Sequence, residues 1–538
     1  MLRDLTAAVQ AHPALSIVVL GIAAFVAWAG RVRHRASREL KLPFLRFEDG
    51  DDSRQRYVTD SGTLFKIGYE KYLRHGQAFK MRNYIDELPP QVYLPLKYLD
   101  EVKSAPQAKL SFPYFSLLLF SQDHTGMAKQ TDEAAHVIRT DLIRNQPFLY
   151  PGLEAERAAV IDEKLPRTPG EWQRRGHVKT VQNSSAYTSV EWQSVNPYPI
   201  LAYIIARLAA KTTGSAELSR NDEWLGIMIG VTQTSMVAAH ALRASWPWWT
   251  RWVARYVFPP VKKVLADRAR AAEILRPILE ERVAALHADD EKSERPNDGI
   301  QWLVEYYHAR GKGARLTPEL LAQNQLFYAM AAIHSSTAIL LSVLYDLIDE
   351  RHAHIKAELI DEIDQVHKEF GSWSRQAVSK LVKLDSFMKE SQRIHYVGHA
   401  RVTRAAKVPY TFKDGLHLPQ GTMIQFLHSG PLQDPDYFPD PETFDPWRFL
   451  RKRQEGDPNK FQFASLSDTE TTFGAGFHAC PARNYASDVM KLVLVYLLTK
   501  YEIKYDSDSR RRPPETAHDS ATMPNLATQI LYRERRAS

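Results

Sequence analysis

The 538-residue chain holds a single cysteine, Cys480. One thiol excludes an intramolecular disulfide, so folding requires no oxidising compartment. It also excludes every multi-cysteine zinc or iron–sulfur site. Charge of one sign is in small excess: 70 Lys and Arg against 63 Asp and Glu leave a net +7. No arginine-rich run with interleaved aromatics stands out, so a nucleic-acid partner is not expected. The mild positive balance suits an acidic partner or a membrane surface instead. There is no repeat of solenoid period and no Rossmann or flavin fingerprint. With 44% apolar and 25% charged residues, the composition is that of an ordinary globular protein.

Residues Ala14 to Gly30 carry no charge. These 17 residues make about 25 Å of helix, short for a span, which Pro13 and the weakly polar residues before it can extend. Arg31, Arg33, Arg35, Arg38 and Lys41 follow. The positive-inside rule then places the rest of the chain on the cytoplasmic side. A cleaved signal peptide is the rival reading, because Ala27-Trp28-Ala29 looks like a cleavage site. Against it, Arg3 is balanced by Asp4 and the basic block lies after the apolar run. The expected organisation is a lumenal N-terminus over 1–12, a transmembrane anchor over 13–30, a basic linker over 31–44 and one large domain over 45–538.

From about Asp60 to Ser374 the texture is helical. Thr317, Pro318 and Glu319 form a start signal for a long, apolar, central helix, and Pro277 is a candidate kink or division in an earlier one. Beyond about residue 396, alternation with Gly and Pro punctuation reads as short strands and turns. A last helix over 481–503 precedes C-terminal strands. The fold class is mostly α with a minor β part.

The cysteine lies in "FGAGFHACPAR", Phe473 to Arg483. Gly474 and Gly476 let the backbone bend and pass close to something flat. His478 can bond an anionic group, and Pro481 sets the start of a helix, whose unpaired amides stabilise a thiolate. The bland alternative is a small buried hydrophobe. Glu390 and Arg393 in "ESQR" share a helix face. The same spacing recurs at Glu154/Arg157, Glu171/Arg174, Glu217/Arg220 and Glu273/Arg276, read as surface pairs. The segment "FDPWRF" places Arg448 among Phe444, Pro446 and Phe449.

The cysteine segment resembles the haem-binding loop of the cytochrome P-450 monooxygenases, Phe-x-x-Gly-x-His/Arg-x-Cys-x-Gly. Phe473, Gly476, His478 and Cys480 match it, with Ala482 at the last glycine. The resemblance runs from about residue 45 to the C-terminus. It implies the fold of that family and haem b ligated axially by Cys480, with His478, Arg404 and Arg139 toward the propionates. It also implies a structural cluster of Glu390, Arg393 and Arg448, although Trp447 stands where many members have Glu. In the family's central helix an acid and an alcohol relay protons. On "AAIHSST" those positions fall on His334 and Ser335, while Phe327, Ala331 and Ala332 line the substrate pocket. His334 as a satisfied core histidine is the competing reading.

Eukaryotic membrane-bound members imply an endoplasmic reticulum location, single-pass, with the catalytic domain cytosolic. The electrons then come from a separate NADPH-cytochrome P-450 reductase, with cytochrome b5 as a second candidate donor. "ESQR", "AAIHSS" and "HVIRTDL" are similar to fungal secondary-metabolism members. A lipophilic terpenoid, indole diterpene, polyketide or polyketide-peptide intermediate is therefore the expected substrate. The leading function is oxygen insertion into a C–H bond. Two alternatives stay open: another haem-thiolate reaction such as desaturation, ring expansion or isomerisation, and a non-enzymatic haem sensor.

Overall fold

The computed structural model describes residue 21 and residues 40–535, except 86, 130, 166–191, 288–294 and 508. The anchor, the basic linker before residue 40 and the pair Glu171/Arg174 lie outside the described residues. Seven principal helices frame the molecule: α1 Ile143–Lys164, α2 Pro197–Ala209, α3 Asp222–Ser245, α4 Pro259–His287, α5 Pro318–Ile348, α6 Val382–Ile394 and α7 Arg483–Lys500. Each of the capped starts follows from local chemistry. Thr317 accepts the Leu320 amide at 3.3 Å with Pro318 and Glu319 behind it, which is the start signal read from the sequence. Asn196 and Asn221 cap α2 and α3 in the same way.

The 31 residues of α5 give about 45 Å of rise, enough to cross both halves of the core. Its N-terminal half (Leu321, Leu326, Ala329, Ile333) packs with Trp224 and Met228 of α3 and Leu275 of α4. Its C-terminal half (Leu340 to Ile348) packs with Ile204 of α2, Phe387 of α6 and Val493 of α7. Helices α3 and α5 are long and apolar enough to cross a membrane by length and composition, but most of the apolar window of α5 is buried in the protein.

Nine strands complete the molecule's two larger sheets: β1 Phe44–Leu45, β2 Phe79–Met81, β3 Gln91–Tyr93, β4 Leu110–Ser111, β5 Gln193–Val195, β6 Ala400–Ala406, β7 Met423–Leu427, β8 Tyr501–Tyr505 and β9 Ile530–Glu534. The six-stranded sheet runs β1-β2-β3-β7-β6-β4, and the smaller one β8-β9-β5. Strands β6 and β7 pair antiparallel, with a register shift between Arg401 and Arg404 and a positive φ of 52° at Val402. A bulge of this kind re-aims the side chains that follow it.

Three expectations change here. Strands β2 to β4 interrupt the stretch read as helical, because they complete a sheet whose centre lies three hundred residues away. Pro277 does not divide α4, which continues to His287. The last helix starts at Arg483 and ends at Lys500, and Tyr501–Tyr505 is strand β8, whose alternating burial follows its period of two.

Candidate active site

Cys480 is held by a tight loop rather than by a helix. Its amide donates to the Phe473 carbonyl at 2.7 Å, Ala479 donates to Gly476 at 3.0 Å, and Gly474 to Thr471 at 2.8 Å. Gly474 and Gly476 have φ of 76° and 63°. A Cβ on Gly476 would also come within 2.8 Å of Lys103 Cβ, so both conformation and close approach demand glycine there. Beyond the loop, His428 braces Thr472 at 2.9 Å. The ring of Phe473 packs edge-on against Phe463.

The sequence reading expected the α7 N-terminus to hold Cys480 as a thiolate. The Ala482 amide and the Arg483 guanidinium do pull its pKa down, yet burial outweighs them and the thiol is pushed up. A metal that binds there must displace the proton.

Cations surround the loop. Arg139, in a single π turn over Ile138–Leu142, lies over the Phe477 ring at 4.1 Å and donates to its carbonyl at 3.3 Å. Arg404 is buried and donates to the Thr403 carbonyl, and burial lowers its pKa to about 10. Arg483 donates to the Cys480 carbonyl at 3.1 Å. Burial, then Arg404 and Arg139, depress His478 to about 4, so its imidazole is neutral. Arg139, Arg404 and Arg483 have no carboxylate within ion-pair distance among the described residues. Sequence reasoning missed Arg483, although it stands three residues past the cysteine.

The donor set fits haem. Among the described residues no cluster of three or more His, Cys, Asp or Glu could hold a bare ion. A lone thiolate serves a metal whose other ligands come with it, as in a macrocycle. Three guanidiniums without carboxylates suit its two propionates. Cys480 would hold the iron of a haem bound here through its sulfur.

The Glu390 cluster is complete. Arg393 grips the Glu390 carboxylate at 2.9 and 2.8 Å, and Arg448 reaches it at 3.2 Å. Glu390 and Arg393 are 0% and 1% exposed. The remaining guanidinium hydrogens go to the carbonyls of Leu432, Pro439, Asp440, Pro441 and Thr443. Other residues of α6, not anticipated, extend the clamp. Lys389 meets the buried Glu470 at 3.4 Å, and Asp385 accepts from Lys491 of α7 at 2.5 Å and from the Phe463 amide at 2.9 Å.

The repeated Glu–Arg spacings turn out to be unlike one another. Arg157 is buried, against the surface reading. It lies 3.9 Å from Glu154, donates to the Leu492 carbonyl and stacks its guanidinium over the Tyr496 ring at 4.9 Å. Arg220 turns to Glu156 and Arg276 to Glu319.

On α5, Ala331 and Ser335 are exposed midway along an otherwise buried helix, and Ala332 and Phe327 are half-buried. Ser335 donates to Ala331 O at 2.8 Å, and the fully buried Thr337 donates to Ile333 O. His334 bridges helices. Its Nε2 lies 2.9 Å from the Ile229 carbonyl, which only accepts, so Nε2 carries the proton. Nδ1 then accepts from the Tyr198 hydroxyl at 3.1 Å. Burial lowers its pKa. Neither nitrogen is free to stand in for the acid of the relay.

A family model described as Cytochrome P-450 matches residues 177–532. The cytochrome P-450 monooxygenase cheE of Chaetomium globosum is 40% identical over 527 residues, 97% of either chain. The cytochrome P-450 monooxygenase ccsG of Aspergillus clavatus is 38% identical over 97% of this chain and 98% of its own. Pyrichalasin C-7 hydroxylase of Pyricularia grisea is 36% identical over 86% of each. Among solved structures, the cytochrome P450DA heme domain superposes with a TM-score of 0.64 at 15% identity, covering 92% of this chain and 98% of that one, a likeness of fold.

Proposed function

The chain belongs to the cytochrome P-450 monooxygenase family, and from that premise we propose that it hydroxylates a C–H bond of a lipophilic fungal secondary metabolite. The classes we favour are terpenoid, indole diterpene, polyketide and polyketide-peptide intermediates. In the balanced reaction one atom of dioxygen enters the C–H bond and the other leaves as water. Two electrons come from NADPH through a separate reductase, with cytochrome b5 as a second donor, and two protons come from solvent. A relative that is a pyrichalasin C-7 hydroxylase supports hydroxylation over desaturation or ring expansion.

Haem, when bound, supplies the activation of dioxygen. The protein's own residues do the rest. Cys480 Sγ, once deprotonated, would hold the iron, and Arg139, Arg404, Arg483 and His478 would hold the propionates. Ala331 and Ala332 leave room on the facing helix. The Ser335 hydroxyl, open on that face, holds and passes the proton. His334 positions it, by tying α5 to α2 and α3 through Tyr198 and Ile229.

A cytosolic domain on the endoplasmic reticulum membrane completes the reading. Besides the basic residues after the apolar run, Trp249, Trp252, Tyr256 and Val257 form an exposed apolar patch around the helix Arg251–Val257. Tryptophan and tyrosine favour the membrane interface.

The observation that carries the assignment is the single thiol in its loop, ringed by guanidiniums without carboxylates. Its test is the absorption of the reduced, carbon-monoxide-bound protein. The wild type should give the thiolate-type Soret band. Cys480→Ala should lose it, since no second thiol can substitute. Survival of that band in the variant rules out Cys480 as ligand.

A further inference from the structure

A narrow cavity lies beside the N-terminal half of α5, enclosed by the turn at Gly126, helices α3 and α4, and Leu326, Phe327 and Met330 of α5. Its walls are mostly apolar, yet they carry three hydrogen-bond donors with little to bond. Ser235 is 1% exposed and its Oγ has no partner. The Thr232 Oγ1, one turn before it on the same face of α3, is also buried without a partner. Arg268 comes in from α4. Its only hydrogen bond is a long one, 3.5 Å, to the Gly126 carbonyl, and no carboxylate lies within ion-pair distance among the described residues.

Gly126 admits the guanidinium. Its φ is 65°, and a Cβ there would lie 2.7 Å from Arg268 Cζ. Polar groups withdrawn from water are normally bonded, so two buried hydroxyls without partners, beside a guanidinium that no carboxylate meets, imply an absent acceptor. Burial, with no compensating carboxylate, lowers the Arg268 pKa, in keeping with a guanidinium that lacks its anion or dipole.

We infer that Arg268, Ser235 and Thr232 form a specificity subsite that binds an sp² oxygen, of a carboxylate or of an amide or ketone, carried by the lipophilic substrate. This rests on the monooxygenase reading and adds to it what the far end of the substrate must present. Phe327, Ala331 and Ser335 recur at four-residue spacing, so the subsite and the open face belong to one stripe of α5. From Phe327 to Ser335 the helix rises about 12 Å. The recognised oxygen therefore lies roughly that far along the substrate from the carbon that reacts. Arg268 is a positioning residue: it fixes which carbon is presented.

The test uses probes that ligate haem iron at one end and span that distance. These are 1-decylimidazole, 10-(imidazol-1-yl)decanoic acid and its primary amide, each titrated into the full-length holoprotein and read by the Soret shift. The acid, the amide or both should bind about tenfold or more tighter than the alkyl probe, as a charge-assisted hydrogen bond allows. Preference for the acid alone identifies a carboxylate, and preference for both a carbonyl oxygen. Arg268→Gln should bring the preferred probe to within about threefold of 1-decylimidazole, and Ser235→Ala should reduce the preference in part. The affinity of 1-decylimidazole should be equal in all three proteins, which checks that the variants are folded. Equal binding of the three probes to the wild type overturns the subsite, as does a preference that survives Arg268→Gln. Failure of 1-decylimidazole to shift any spectrum would instead overturn the haem reading beneath it.

Discussion

At Ser335 a hydroxyl is exposed on a helix whose neighbouring turns are buried, and its proton is turned back to the Ala331 carbonyl. The exposed hydroxyl oxygen keeps its acceptor lone pairs open, so the group can take a proton from water and pass its own on. Ser335→Ala should therefore uncouple the enzyme. NADPH consumption continues, hydrogen peroxide is released, and product per NADPH falls by roughly tenfold or more, the lower range for a positioned proton-transfer group. Thr337 is enclosed and bonded to Ile333, so Thr337→Ala should leave that ratio near the wild-type value. Measuring NADPH, peroxide and product together checks both. If Thr337→Ala lowers the ratio while Ser335→Ala does not, the register assigned to this helix is wrong. His334 illustrates what the sequence could not say. Its spacing placed it beside the alcohol, but its two partners come from residues over a hundred positions away, Tyr198 and Ile229.

Helix α6 shows the clamp as a unit. Asp385, Lys389, Glu390 and Arg393 all turn inward, and between them they hold α7, the segment 432–448 and the approach to the cysteine loop. Removing the Glu390 carboxylate strands two buried guanidiniums, at about 3–5 kcal/mol. Glu390→Ala should consequently lose most haem incorporation or most soluble protein. At the pair with the same spacing, Glu154 is 32% exposed and 3.9 Å from Arg157, which keeps its backbone acceptor. Glu154→Ala should cost about 1 kcal/mol or less. Haem content per protein in the two variants decides; equal values would remove the structural role of Glu390. The motif residues of this cluster were legible because a glutamate and two arginines occur at recognisable spacings. Lys389–Glu470 and Asp385–Lys491 were not, because each joins residues of unremarkable context across the chain. Element type followed the same rule. The capped start of α5 and the alternation at the start of β6 are local signals and were readable. The two- and three-residue strands β1 to β4 owe their conformation to pairing with partners such as Ile424 and Ala406, and nothing local announces them.

On the proposed reading, the whole molecule meets a membrane at two places. In that reading the apolar run Ala14–Gly30 and the cations after it would supply one attachment. The folded body offers a candidate second: Trp249 and Trp252 are 51% and 66% exposed, with Tyr256 and Val257 beside them. An exposed apolar cluster of this kind marks an interaction site, and one rich in tryptophan suits the lipid headgroup region. Two attachments act through effective concentration, so removing one weakens binding without abolishing it. Deleting residues 1–30 should move part of the protein, not all, into the soluble fraction, with the haem band intact in both fractions. Adding Trp249→Ser and Trp252→Ser should release the remainder. The same double substitution in the full-length chain should leave it membrane-bound. Fractionation with haem spectra on each sample reads all three outcomes. Complete release by the deletion alone would show that the patch does not bind lipid, and a shortened N-terminus in the mature protein would show that the apolar run is a cleaved signal. The location of the patch gives the second contact a consequence for substrate. It follows α3 and precedes α4, the two helices that supply Ser235 and Arg268 to the cavity. On that reading a lipophilic substrate dissolved in the bilayer would enter beside α3 and α4, and the variants that weaken membrane contact should raise the apparent KM for membrane-borne substrate more than they change kcat.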